Sequence, residues 1–297
     1  MQMGAQGTIK MGRSSKICSS RIGKFEWFLN KAAQCTHLQD GQRCSVLNCC
    51  PANDHKTILW ECIASGTFFF MAENGNKEAS FHLWHGQFGN SRNHIHVHWS
   101  VPPALNAKRS ITSSDDDVAP FAWIQIKIQS SLYVDISDRK NPLVEDSSDI
   151  VKLKIEGQKF YLSRKVLRAH SPIFHLRFKK RASYELMNVK LEEFLHFLGV
   201  VYNLHVTINK NTIEYLLQLG DRFQCRAVLR RCEEFLESTD VEDIPLADKL
   251  RFGDIFMLHE TVADAVENMS NEELKALPRT HLSSFTLELV GEKLALI

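Results

Sequence analysis

With 297 residues, 44% of them hydrophobic and 24% charged, the chain has the composition of an ordinary globular protein and room for two domains. Its formal charge of +1, from 36 Lys and Arg against 35 Asp and Glu, excludes a nucleic-acid binder driven by bulk electrostatics. No apolar run approaches the roughly 20 residues that cross a bilayer, and residues 1–24 lack the apolar core of a secretory signal. The expectation is an intracellular protein, cytoplasmic or nuclear, with no membrane contact and its eight cysteines kept as thiols.

Residues 1–24 carry Lys10, Arg13, Lys16, Arg21 and Lys24 with no acid, and read as a disordered basic tail. Residues 25–136 read as β-rich. Short aromatic and β-branched runs at Thr57 to Trp60, Gly66 to Met71, Ser80 to Trp84, His94 to Trp99 and Trp123 to Ile128 predict strands. Turn pairs such as Asp40-Gly41, Asn74-Gly75 and Gly89-Asn90 lie between them, which favours an antiparallel β-sandwich-like domain. Residues 137–148, polar and interrupted by Asn141-Pro142, read as a linker.

The pattern changes at Asp149. Val151, Leu153 and Ile155 alternate, Glu156-Gly157 turns, and Lys159 to Leu162 returns: a hairpin. Ser171-Pro172 is a helix start, serine capping and proline at a position whose N–H has no helical partner. Leu191, Phe194, Leu195, Leu198, Val201 and Tyr202 line one helix face, and Ile213, Leu216 and Leu217 begin another. A third stripe joins Cys225, Val228, Leu229, Cys232, Phe235 and Leu236, with Arg226, Arg230, Arg231, Glu233, Glu234 and Glu237 on the outward side. Residues 238–297 continue as a helical extension, in which Ser270 and Glu273 predict a capping box. The fold class is α+β.

No Gly-rich phosphate loop, serine elbow or His-Glu-x-x-His helix occurs, so no catalytic residue is assigned and the chain is not read as an enzyme. Cys35, His37, Cys44, Cys49, Cys50, His55 and Cys62 crowd the first β segment, but their spacings fit no standard zinc frame. Buried thiols account for them, and a zinc site of thiolate and imidazole ligands is the alternative. His94, His96 and His98 would share one face of a strand, most simply a solvated one. The expectation is no metal and no cofactor. Of Phe68-Phe69-Phe70, alternate rings are expected in the core.

The ordered landmarks Asp149-Ile150-Val151-Lys152-Leu153, Gly157-Gln158-Lys159-Phe160, Lys165-Val166-Leu167, His170-Ser171-Pro172-Ile173-Phe174, Asp221-Arg222-Phe223 and Cys232-Glu233-Glu234-Phe235-Leu236 resemble a BTB/POZ domain over residues 149–237. Ser163 stands where many members have histidine, and Arg164 keeps the following basic residue. The resemblance implies a homodimerising interaction module with Asp149, Val166, Leu167, Ile173 and Phe174 in or beside the dimer contact. It also implies a cullin as partner, met by a loop holding Phe178, Tyr184 and Glu185. Here that loop departs from the common pattern, because Ser183 occupies the apolar position two before Glu185. Lys24 to Trp27 and Trp123 to Ile128 are similar to the ends of a MATH-like sandwich, so residues 25–136 would take a protein or peptide substrate. The function implied is a dimeric adaptor serving a cullin-RING ubiquitin ligase. A ligase-independent structural or nuclear scaffold is the alternative, and no direct nucleic-acid contact is expected.

Overall fold

The computed structural model describes residues 4–10, 18–31, 42–53, 56–71, 80–100, 121–178 and 183–295. The chain divides between Ser137 and Asp138 into two compact units.

The first unit holds β1 (Gln6–Lys10), β2 (Cys18–Ile22), β3 (Phe25–Lys31), β4 (Gln42–Pro51), β5 (Ile58–Met71), β6 (Ser80–Gly89), β7 (His94–Ser100) and β8 (Phe121–Asp135). They form two four-stranded antiparallel sheets, ordered β1-β8-β5-β6 and β2-β3-β4-β7. Side chains alternate across each strand, so the inner faces meet in one apolar core. Trp27, Leu29, Leu47 and Cys49 come from one sheet and Cys62, Phe68, Trp84, Phe88 and Ile126 from the other. The Trp27 ring meets Phe88 edge-on at 5.1 Å and leans on Trp84 at 6.3 Å.

Three features depart from the sequence reading. Residues 1–24, expected as a tail, supply β1 and β2: Ile9 and Ile22 each reach the core, and β1 pairs along β8 from Gln6↔Lys127 to Lys10↔Trp123. Alternation with a single isoleucine per five-residue strand is too sparse to register as a period. The expected runs 57–60 and 66–71 are one 14-residue strand, β5, whose register shifts at Ile63/Ala64. A bulge there, followed by the small residues Ala64, Ser65 and Gly66, interrupts the aromatic pattern without ending the strand. Finally, β4 is a full ten-residue strand that its serine, asparagine and cysteines conceal. Phe68 is in the core as expected, and Phe69 stacks on Trp123 at 5.1 Å on the other face.

The second unit opens with Asn141, buried, whose side-chain amide donates to Asp138 O and Tyr161 O, each at 2.8 Å. Then β9 (Ile150–Ile155) pairs antiparallel with β10 (Gln158–Ser163). Their two-residue turn puts Glu156 at φ 48° and Gly157 at φ 80°, the doubly positive backbone of a type I′ hairpin, for which glycine carries no steric penalty. Helices α1 (Arg164–His170), α2 (Pro172–Phe178), α3 (Leu191–Val201), α4 (Ile213–Arg222) and α5 (Arg226–Ser238) follow, with the short β11 (Ser183–Glu185) parallel to β9. Phe223 is the hub of their packing: its ring lies 4.6 Å from Phe174, 5.4 Å from Phe197 and 6.3 Å from Phe194.

The extension adds α6 (Leu246–Phe256), α7 (His259–Asn268), α8 (Asn271–Ala276) and α9 (Ser284–Ala295). These share a smaller core of Leu250, Val262, Ala265, Val266, Met269, Leu274 and Val290. The capping box forms as expected: Ser270 N donates to Glu273 Oε2 at 2.7 Å, and Glu273 N to Ser270 Oγ at 3.3 Å. Lys293 Nζ caps the end of α7 by donating to the carbonyls of Val266, Glu267 and Met269.

Candidate protein-contact surfaces

Asp149 sits just before β9 and is buried. Its carboxylate accepts from Ser163 Oγ at 2.6 Å and from Lys165 N at 2.8 Å, so it holds the first turn of α1. Ser163 caps the same helix, its hydroxyl accepting from Val166 N at 3.2 Å. The serine that departs from the family pattern therefore has a local task that joins hairpin to helix. Of the four apolar residues expected at the dimer contact, Leu167 and Phe174 point into the domain, each 1% exposed, while Val166 and Ile173 are half-buried. One turn beyond Ile173 on the same helix, Leu176 is 60% exposed. Its i+3 spacing from Ile173 puts both on one helix face, and that spacing is the signal the sequence carries for it.

Ser171 fixes how α2 leaves α1. Its buried hydroxyl accepts from Phe174 N at 3.1 Å and donates to Phe223 O at 2.5 Å. Ser171→Ala leaves both partners inside without water, and is expected to cost about 2–3 kcal/mol. Urea denaturation followed by far-UV circular dichroism measures it; a loss below about 0.5 kcal/mol would mean that the carbonyl and amide find other partners.

The segment 178–185, expected as a cullin-facing loop, has more order at both ends. Phe178 closes α2, is 3% exposed and stacks on Phe174 at 5.3 Å. Ser183, Tyr184 and Glu185 pair in parallel with Lys152, Leu153 and Lys154 of β9. Tyr184 packs edge-on against Phe178 at 5.4 Å and donates its hydroxyl to Arg177 O. That aromatic anchor turns a polar stretch into a strand. Glu185 is exposed and meets Lys154 Nζ at 3.0 Å. Residues 179–182 lie outside the described ones.

Beside Glu185 lies an open cleft of about 570 Å³, walled by the Glu156-Gly157 turn, Leu186, Met187, Lys190 and Gln218. Met187 is 64% exposed there, and Arg222 Nη2 donates to its carbonyl at 2.7 Å.

On the first unit, the cysteines divide by face. Cys49 and Cys62 are buried, and burial first, then neighbouring Cys62, holds the Cys49 thiol well above its ordinary pKa. Those two match the expectation of core thiols. His94, His96 and His98 lie together on the exposed face of β7, where His94 is held below its usual value by burial and then by His96 and Arg92. Cys35, His37 and His55 lie outside the described residues.

Among the described residues, no helix is long and apolar enough to cross a membrane. The BTB/POZ domain family model matches residues 143–240, beginning inside the stretch expected as a linker. The chain is 27% identical to BTB and MATH domain-containing protein 38 of Caenorhabditis elegans over 271 residues, covering 87% of this chain and 68% of that one. It is 25% identical to BTB and MATH domain-containing protein 36 of the same organism over 292 residues, covering 91% of this chain and 89% of the relative. Among solved structures, the BTB domain of zebrafish PATZ1 matches 30% of this chain and 75% of its own, at 20% identity and a TM-score of 0.28. Residues 143–240 are thus a BTB/POZ domain, preceded by antiparallel β-sheets and followed by helices, in a chain similar along most of its length to BTB and MATH domain-containing proteins.

Proposed function

We propose that this chain is a dimeric protein-interaction adaptor that works inside the cell, in the cytoplasm or nucleus. Its BTB/POZ unit pairs with a second copy through α1 and α2, and its β-rich unit, residues 25–136, captures a protein or peptide. The observation that carries the reading is the apolar row on α2: Leu176 is 60% exposed and follows half-buried Ile173 on one helix face. A large apolar side chain in water beside a partly covered one gains by being covered, and a two-fold pairing covers the same patch on both copies. Val166, on neighbouring α1, is half-buried as well. Asp149, Leu167 and Phe174 act beneath it, holding the two helices in place. Two joined copies make two weak sites bivalent, which raises avidity by about 10²–10⁴ when geometry allows.

The finer reading adds a cullin, met at half-buried Tyr184 and exposed Glu185 with buried Phe178 supporting them from beneath, and makes the captured partner a substrate for ubiquitylation. A scaffold acting without a ligase is the second reading. It is favoured by Ser183 at the position where an apolar residue is usual, and by Lys154 engaging Glu185. No reaction is assigned to the chain itself in either case.

Sedimentation of the full-length chain tests the core of the proposal. The wild type is expected to run as a dimer, and Leu176→Asp as a monomer with unchanged far-UV circular dichroism. A wild type that is monomeric at every concentration would overturn it. A cullin retained by the immobilised wild-type chain supports the ligase clause; retention of none favours the scaffold.

A further inference from the structure

We propose that Cys44, His96 and His98 form a binding site for a divalent cation of the zinc class on the outer face of the β2-β3-β4-β7 sheet. The register makes the site. Cys44 of β4 lies directly opposite His98 of β7, and His96 lies two residues away, opposite Val46. Directly opposed residues share a face and approach to about 5 Å between Cβ atoms, and the diagonal neighbour stays within reach of a long side chain. The period of two then aims all three outward. The linear spacing of positions 44, 96 and 98 gives no hint of this, because it follows from strand pairing alone.

The geometry suits a metal. One ligand atom from each residue lies within 4.8 Å of the other two, and Cys44 Sγ is 3.3 Å from His96 Nδ1. Tetrahedral zinc, with bonds of about 2.3 Å to sulfur and about 2.0 Å to nitrogen, sets sulfur and nitrogen roughly 3.5 Å apart. Closing the triad onto one ion therefore needs side-chain adjustments and no backbone change. Cys44 Sγ already meets one imidazole, and the second converges on the same point, which brings three metal-ligating atoms together.

The donor set also selects. One thiolate and two imidazoles are borderline-soft ligands that favour zinc over magnesium or calcium, whose sites are built of oxygen. His96 and His98 are exposed and Cys44 is half-buried, so a fourth position would face solvent, as in zinc sites that exchange a ligand. His94 lies outside the converging group, and its Nδ1 is 3.1 Å from Asn93 Oδ1. Because β7 is the last of the described strands in its sheet, coordination would also clip it to its neighbour β4.

The test uses the full-length chain, stripped with a chelator and titrated with cobalt(II) under a non-thiol reductant. Wild type is expected to take up one cobalt with a thiolate-to-cobalt charge-transfer band, and one equivalent of zinc should abolish it. Cys44→Ser should lose that band, and His98→Gln should keep the band but bind at least about tenfold more weakly. Both positions lie on the outer sheet face, and unchanged melting of the metal-free variants shows that the fold is intact. A wild type without the band overturns the proposal. So does an unchanged band in Cys44→Ser, which would place the thiolate at another cysteine.

Discussion

Cys232→Asp is expected to unfold the helical part of the second unit. Cys232 lies on α5 between Val228 and Leu236, and all three are fully buried. Burial pushes its thiol up to about 12, and Arg231 nearby offsets little of that. A site so hostile to a thiolate offers nothing to a carboxylate, which would be buried charged or would have to hold a proton. Either outcome costs several kcal/mol, about 4, against a total stability of roughly 5–15 kcal/mol for a domain. Glu233→Ala, one residue on, is expected to change stability by no more than about 0.5 kcal/mol. It removes a charge that, after burial, raises Glu237 together with Glu260, Asp264 and Glu234, so any shift should be upward. Far-UV circular dichroism against urea separates the two substitutions, and equal losses would mean that the buried face has been misassigned.

That contrast was legible before any coordinates because a helix buries a stripe, and a stripe is local. The same holds for the Glu156-Gly157 hairpin, the Ser171 cap and the Ser270–Glu273 box, whose partners lie within a few residues; yet Ser171 also donates to Phe223 O, 52 positions away, which no local pattern announces. What stayed hidden is non-local. In β1 and β2 each strand places one isoleucine in the core, and pairing with β8 and β3 provides the rest of their stability. β11 exists because Tyr184 finds Phe178 and β9 offers a free edge, whereas its own three residues read as polar loop. Asp149 was named for a surface role, and its partners Ser163 and Lys165, 14 and 16 residues later, turn it inward. For the Cys44–His96–His98 triad the obstacle was register: which strand neighbours β4 is a property of the sheet and of no segment in it.

Gly66→Ala is expected to destabilise the β-rich unit by about 3 kcal/mol or more, although alanine adds one methyl group. Gly66 lies in β5, directly opposite Trp84 of β6 on one side and Ile126 of β8 on the other. A Cβ built at Gly66 would stand 1.8 Å from Gln125 O and 2.9 Å from Trp84 Nε1. The first of these is backbone, so the strand itself must move. The vacant position is also the passage by which the Trp84 indole, donating across β5, reaches Gln125 O at 3.2 Å. Filling it strands a buried N–H as well as parting two central strands, and the two costs add. All five tryptophans, at positions 27, 60, 84, 99 and 123, lie in this unit, so tryptophan fluorescence against urea reads its unfolding without signal from the helices. Gly291→Ala provides the opposite case: no atom lies within 4 Å of a Cβ there, and in the interior of α9 alanine should stabilise by about 1 kcal/mol. A Gly66→Ala protein with the wild-type fluorescence midpoint would mean that β5 and β8 do not approach at this register, and the pairing from Ala64 to Met71 would have to be redrawn.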